Sequence, residues 1–149
     1  MEPMVMARGN GNSYASEIRG PRDNPYLRDS VETASPGRLL VMLYDRLALD
    51  LERAEAACEA GDVQLAHNTL LHAQDILAEL HVSLNHDAWP AAAGLAHVYE
   101  FMIAELCAAN MHKEPARVAN VRRVLAPLHA AWRDAAGVVD PPVVQKIGA

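Results

Sequence analysis

Aromatic side chains are scarce in this chain: one phenylalanine, two tryptophans and four tyrosines among 149 residues. A sheet core asks for aromatic and β-branched residues, so their scarcity beside abundant alanine points to close-packed helices. Cysteine is equally sparse. Cys58 and Cys107 fall in separate helical patterns with no motif around either, which reads as two reduced thiols, not as a disulfide framework or an activated nucleophile. Cations are outnumbered, 13 Lys and Arg against 19 Asp and Glu, and the net charge of −6 disfavours a nucleic-acid partner. No uninterrupted apolar run approaches the roughly 18 residues of a membrane span, so no membrane insertion is expected. The N-terminal "MEPMVMARGNGNSY" lacks the basic-then-apolar order of a signal peptide. Together these absences imply a cytoplasmic chain.

Chemistry is missing too. No glutamate has a histidine three positions later and no two of the seven histidines are four apart, so the ligand spacings of a bundle metal site are absent. His72, Asp75 and Glu79 share a helical face, but that face points away from the expected core stripe. No glycine-rich loop joins a strand to a helix. No metal, no cofactor and no catalytic residue are expected.

What is present is punctuation. Residues 1–25 hold Pro3, Pro21, Pro25, Gly9, Gly11 and Gly20 and read as a flexible arm. Ser35-Pro36 is an N-cap followed by proline at the first helical position, and Gly61 can close that helix near Ala60. Asp62 caps a second helix to about Leu84, Asp87 a third from about Ala88 to Met111, and Pro115 opens a fourth ending near Ala136. Residues 137–149 read as a flexible tail. Short connections between long helices predict an all-α, antiparallel four-helix bundle over residues 26–136.

Placing residues 100° apart predicts the core stripes. They are Leu40, Leu43, Leu47, Leu51, Ala54 and Cys58 on the first helix, and Val63, Ala66, Leu70, Ala73, Leu77, Leu80 and Leu84 on the second. The third contributes Leu95, Tyr99, Met102, Leu106 and Ala109, the fourth Val118, Val121, Leu125, Leu128 and Trp132. Apolar residues are left over on other faces. Met42, Leu49 and Ala56 lie opposite the first stripe, Phe101, Ala104, Ala108 and Met111 opposite the third, and Leu71, Ala78 and Val82 form a weaker band on the second. Leu39 belongs to the same unbroken apolar start as Met42. Such spare faces suit a second layer, either a partner or the chain's own arm, where Tyr26, Leu27 and Val31 are apolar. An enzymatic or metal-binding bundle and a structural homodimer remain as alternative readings.

The stretch "YLRDSVETASPGRLLVMLYD" (26–45) resembles the signature of the flagellar secretion chaperones, the FliS family, through Tyr26, Val31, Thr33-Ala34-Ser35-Pro36 and Leu43-Tyr44-Asp45. "LLHAQDILAELHVSLN" (70–85), "LAHVYEFMIAELCAAN" (95–110) and "LHAAW" (128–132) extend the similarity in order. Arg46, in place of a small residue, and Trp89-Pro90, in a usually polar loop, depart from the pattern. The resemblance implies a helical bundle that binds the C-terminal segment of flagellin in the cytoplasm, prevents its premature polymerisation and hands it to the export apparatus, including an export-gate component. It also implies that the partner wraps the bundle and that the chaperone's own arm can occupy part of the same surface. On that basis Tyr26, Val31, Leu39, Met42, Leu49, Leu71, Val82, Phe101, Ala104, Ala108 and Met111 are the expected partner contacts.

Overall fold

The computed structural model describes residues 35–138, and Tyr26 and Val31 lie outside them. Four helices follow one another: α1 (Pro36–Ala60), α2 (Val63–Val82), α3 (Ala92–His112) and α4 (Pro115–Ala135). The chain divides into two contact units between Leu39 and Leu40, and the described part of the first is only the opening of α1.

The helix ends follow local chemistry. Ser35 Oγ accepts the Arg38 N–H at 3.3 Å, the N-cap expected before proline. Gly61 takes a φ of +74° and closes α1, with the Asp62 N–H reaching back to the Ala57 carbonyl at 2.9 Å. Asp62 then caps α2 by accepting the Leu65 N–H at 3.1 Å. The α2–α3 connection is longer than the sequence reading expects. α2 stops at Val82, so Leu84 packs on the core from a turn, and α3 starts at Ala92 instead of Ala88. Pro90 is the reason, because it disfavours helical backbone at Trp89. Asp87 is no cap; its N–H bonds the Asn85 side chain at 3.1 Å inside the turn. Trp89 stacks on Trp132, with ring centroids 6.3 Å apart, which gives that unusual loop residue an apolar seat. Pro127 lies inside α4 and removes one donor from its ladder.

Polar pairs report the directions of the helices. Asp50 on α1 meets His72 on α2, His81 on α2 meets Glu100 on α3, Arg117 on α4 meets Glu105 on α3, and Arg122 on α4 meets Glu55 on α1. As His67, Gln74 and His81 ascend α2 their partners Asn110, Cys107 and Glu100 descend α3, and Glu55 and Asp45 of α1 meet Arg122 and His129 of α4 in the same opposed order, so these neighbours run antiparallel and α1 lies diagonal to α3. The two diagonal helices touch through the centre, where the Tyr44 and Tyr99 hydroxyls are 2.7 Å apart. The chain is an all-α, four-helix bundle.

The core contains most of the expected stripes, with Leu47, Leu51, Leu70, Leu77, Met102, Leu106, Val118 and Val121 fully buried. Cys58, Leu84, Leu128 and Trp132 reach it only half-buried, and three further positions shift. Val41 and Tyr44 are buried, while Leu40 and Leu43 pack half-buried at the margin, so the stripe of α1 enters the core one residue later than expected. Val63, expected inside, is 59% exposed because it is the first residue of α2, at the end of the bundle. α3 is long and apolar enough, by length and composition alone, to cross a membrane. Glu100 and Glu105 interrupt its apolar sequence, which is why no continuous run stands out, and Tyr99, Met102 and Leu106 bury one side of it in the bundle.

Candidate docking surface

The seam between α2 and α3 is tied by three side-chain hydrogen bonds: His81 to Glu100 at 3.0 Å, Cys107 Sγ to Gln74 at 3.2 Å, and Asn110 to His67 at 3.1 Å. These ties set the register. Leu71 comes level with Ala108, Ala78 with Ala104, and Val82 with the turn containing Phe101, each to within about one helical turn. Leu71 and Ala78 lie four residues after His67 and Gln74, hence beside the seam on its solvent side, and Ala104 and Met111 stand likewise to Glu100 and Cys107. The two bands that the sequence reading left separate therefore adjoin. With the polar seam between them, they form a two-banded strip along the outside of α2 and α3.

Exposure is large for groups of this size. Phe101 is 48% exposed, Met111 75%, Val82 81% and Leu71 39%, with Ala104 exposed and Ala108 half-buried. Val63 and Leu65, at 59% and 46%, add exposed apolar area at the start of α2. On α1, Leu39 and Leu49 are each 37% exposed and Met42 is half-buried, so that band is narrower. Isolated exposed leucines are ordinary, but contiguous ones mark interaction surfaces.

Two recesses lie elsewhere. One of 180 Å³ at the end of the bundle is lined by Leu40, Leu80, Leu84, Trp89, Tyr99 and Trp132 among others. A groove of 480 Å³ between α1 and α4 mixes apolar with charged side chains, Arg122 donating to Glu55 at 2.6 Å and standing 3.8 Å from Glu52.

Hydrophobic periodicity does not reveal the polar group in the interior. Asp50 is the one charged side chain among the buried described residues, at 1% exposure. It bonds His72 Nδ1, and Arg46 Nε stands 3.3 Å from its other oxygen, an ion-pair distance without hydrogen-bond alignment. His72 thus faces α1 instead of solvent, which corrects the sequence reading of that face. Arg46, which departs from the usual small residue, partners the aspartate one turn on. A carboxylate three residues after Leu47 and one before Leu51 could have signalled a buried ion partner. Among the described residues no three of His, Cys, Asp and Glu converge as metal ligands. Burial pushes the Cys58 thiol up, which disfavours the reactive thiolate.

Comparisons with known proteins agree with the fold and extend it. The family model described as "Flagellar protein FliS" matches residues 19–138. The flagellar secretion chaperone FliS of Bacillus subtilis (strain 168) is 31% identical over 115 residues, covering 75% of this chain and 86% of that protein. The flagellar secretion chaperone FliS of Salmonella typhimurium (strain LT2) is 29% identical over 109 residues, 72% of this chain and 81% of its own. A crystal structure of a bacterial flagellar chaperone superposes with a TM-score of 0.63 at 20% identity, covering 74% of this chain and 91% of the other, a likeness of fold. The chain belongs to the FliS family of flagellar secretion chaperones.

Proposed function

We propose that this protein is a cytoplasmic export chaperone that binds the C-terminal segment of flagellin, keeps the subunit from polymerising prematurely and delivers it to the flagellar export apparatus. The observation that carries this reading is the exposed α2/α3 strip of Leu71, Val82, Phe101 and Met111 on a member of a chaperone family. Sequestration asks only for burial. Each large apolar anchor contributes about 1.5–3 kcal/mol when removed from water, and ordering a disordered tail costs about 2–5 kcal/mol. A few anchors therefore suffice, and no catalytic group enters the scheme. Leu49 and Met42 on α1, and Tyr26 and Val31 before it, extend the proposed contact to a segment that wraps the bundle instead of lying in one groove. Handover to an export-gate component releases the cargo by exchange of partners, without nucleotide hydrolysis.

The test combines calorimetry with sedimentation. Titrating the organism's flagellin C-terminal segment into the chaperone should give saturable binding, and flagellin lacking that segment should give none. Full-length flagellin should stay monomeric in the presence of the chaperone under conditions where it otherwise polymerises. Polymerisation at an unchanged rate, with no heat of binding, would rule the reading out.

A further inference from the structure

We propose that the α2/α3 strip selects an amphipathic segment whose apolar anchors are bordered by lysine or arginine, a deepening of the docking reading above. From Ala54 to His112 the sequence holds no Lys or Arg at all, yet it carries eight Asp and Glu residues. The chain's described Lys and Arg residues lie outside that span, on α1 up to Arg53 and from Lys113 onward. Some of the eight carboxylates are already engaged. Glu55 receives Arg122 at 2.6 Å, Glu105 receives Arg117 at 3.1 Å, and Asp62 is the α2 cap.

Two that border the strip are not matched by such cations. Asp75 follows Leu71 by one turn and precedes Ala78 on the exposed side of α2, and it makes no ion pair or hydrogen bond among the described residues. Glu100 precedes Phe101 and lies one turn before Ala104, and its ionic neighbours are two imidazoles, His81 at 3.0 Å and His97 at 3.4 Å. Each helix of the strip therefore offers a carboxylate beside its apolar groups. A segment that buries apolar anchors there also brings its border residues near Asp75 and Glu100. Cations at the border gain attraction as the site dries, whereas carboxylates at the border meet like charge. The same reasoning disfavours a second copy of this chain docking strip to strip, since Asp75 and Glu100 of both copies would be crowded into one interface.

The experiment uses the full chain and three labelled helical peptides with identical apolar anchors, bordered by Lys, Gln or Glu, read by fluorescence anisotropy. At about 0.05 M salt the Lys-bordered peptide should bind about tenfold tighter than the Glu-bordered one, and the margin should nearly close at about 0.5 M. In the Asp75→Asn/Glu100→Gln variant the margin should shrink several-fold at low salt, while the Gln-bordered peptide binds as before. Both positions are exposed, and a thermal melt verifies that the variant folds. Equal binding of all three peptides, or a margin that survives in the variant, would overturn the charge preference and leave the docking surface standing. Binding of none of them would remove the strip as a docking surface and both readings with it.

Discussion

Tyr44 and Tyr99 place their hydroxyls 2.7 Å apart in a core that is otherwise almost wholly apolar. Burial lifts both phenols above their ordinary range, and for Tyr99 the bond to Tyr44 adds to the rise. Truncating one partner strands the other hydroxyl, so Tyr44→Phe or Tyr99→Phe should each cost about 1–3 kcal/mol in denaturant unfolding. The double variant should cost less than the sum of the two, because no unpaired hydroxyl remains. Additive losses would mean that the bond contributes nothing. The raised values also set a pH window. A phenol whose folded value exceeds its unfolded value of 10.0 stabilises the fold fully below that pH and loses its contribution as the pH climbs through the folded value. Stability should therefore decline above about pH 10, less steeply in the double variant. Glu100 shifts the opposite way, held below the ordinary glutamate range first by its hydrogen bond from His81. Its contribution is present above the ordinary glutamate value and is lost as the pH falls through the folded one. A carbon-detected titration of Glu100 should show a low midpoint that moves up in His81→Ala.

At the scale of the element, most of the bundle could be read from punctuation. Ser35-Pro36, Gly61-Asp62 and Pro115 each do locally what their chemistry dictates, so the boundaries they set agree with the structure. The α2–α3 connection was less legible because Asp87 looks like a cap, whereas its N–H bonds the Asn85 side chain within the turn. The entry of α1 into the core was also hidden: Leu39 to Tyr44 is apolar throughout, so periodicity cannot choose between Leu40 with Leu43 and Val41 with Tyr44. Burial decides for the second pair, and Leu47, one turn after Leu43, is fully buried. Leu47→Ala should cost about 2–5 kcal/mol, and Leu49→Asp, on the exposed side of the same helix, should leave the melting temperature almost unchanged. Equal losses would contradict the two-sided assignment of α1. Pro127 offers a converse test on α4. Pro127→Ala restores a donor at an exposed position, and a melting temperature that rises would show that the proline costs stability, as interior prolines do. A fall would show that the pyrrolidine ring itself is needed for packing.

For the whole molecule, the candidate surface was half legible. The individual bands on α2 and α3 follow from spacing within each helix, but their union depends on the register fixed by His81–Glu100, Gln74–Cys107 and His67–Asn110, which no single helix encodes. Tyr26 and Val31 lie outside the described residues, and their place in the scheme is tested by truncation. A chain lacking residues 1–31 should bind the flagellin C-terminal segment more tightly or faster if that arm competes for the surface. A large loss of affinity in a folded truncation would instead make the arm part of the binding site. The most direct measurement of the central claim is the affinity of that segment for Phe101→Asp and Met111→Asp, compared with the unaltered chain by calorimetry. Both side chains are largely solvent-exposed, so the fold should persist with nearly the same melting temperature, while affinity falls at least about tenfold for each through the loss of one apolar anchor. Unchanged affinity in both folded variants would contradict the assignment of the α2/α3 strip as the surface that holds flagellin.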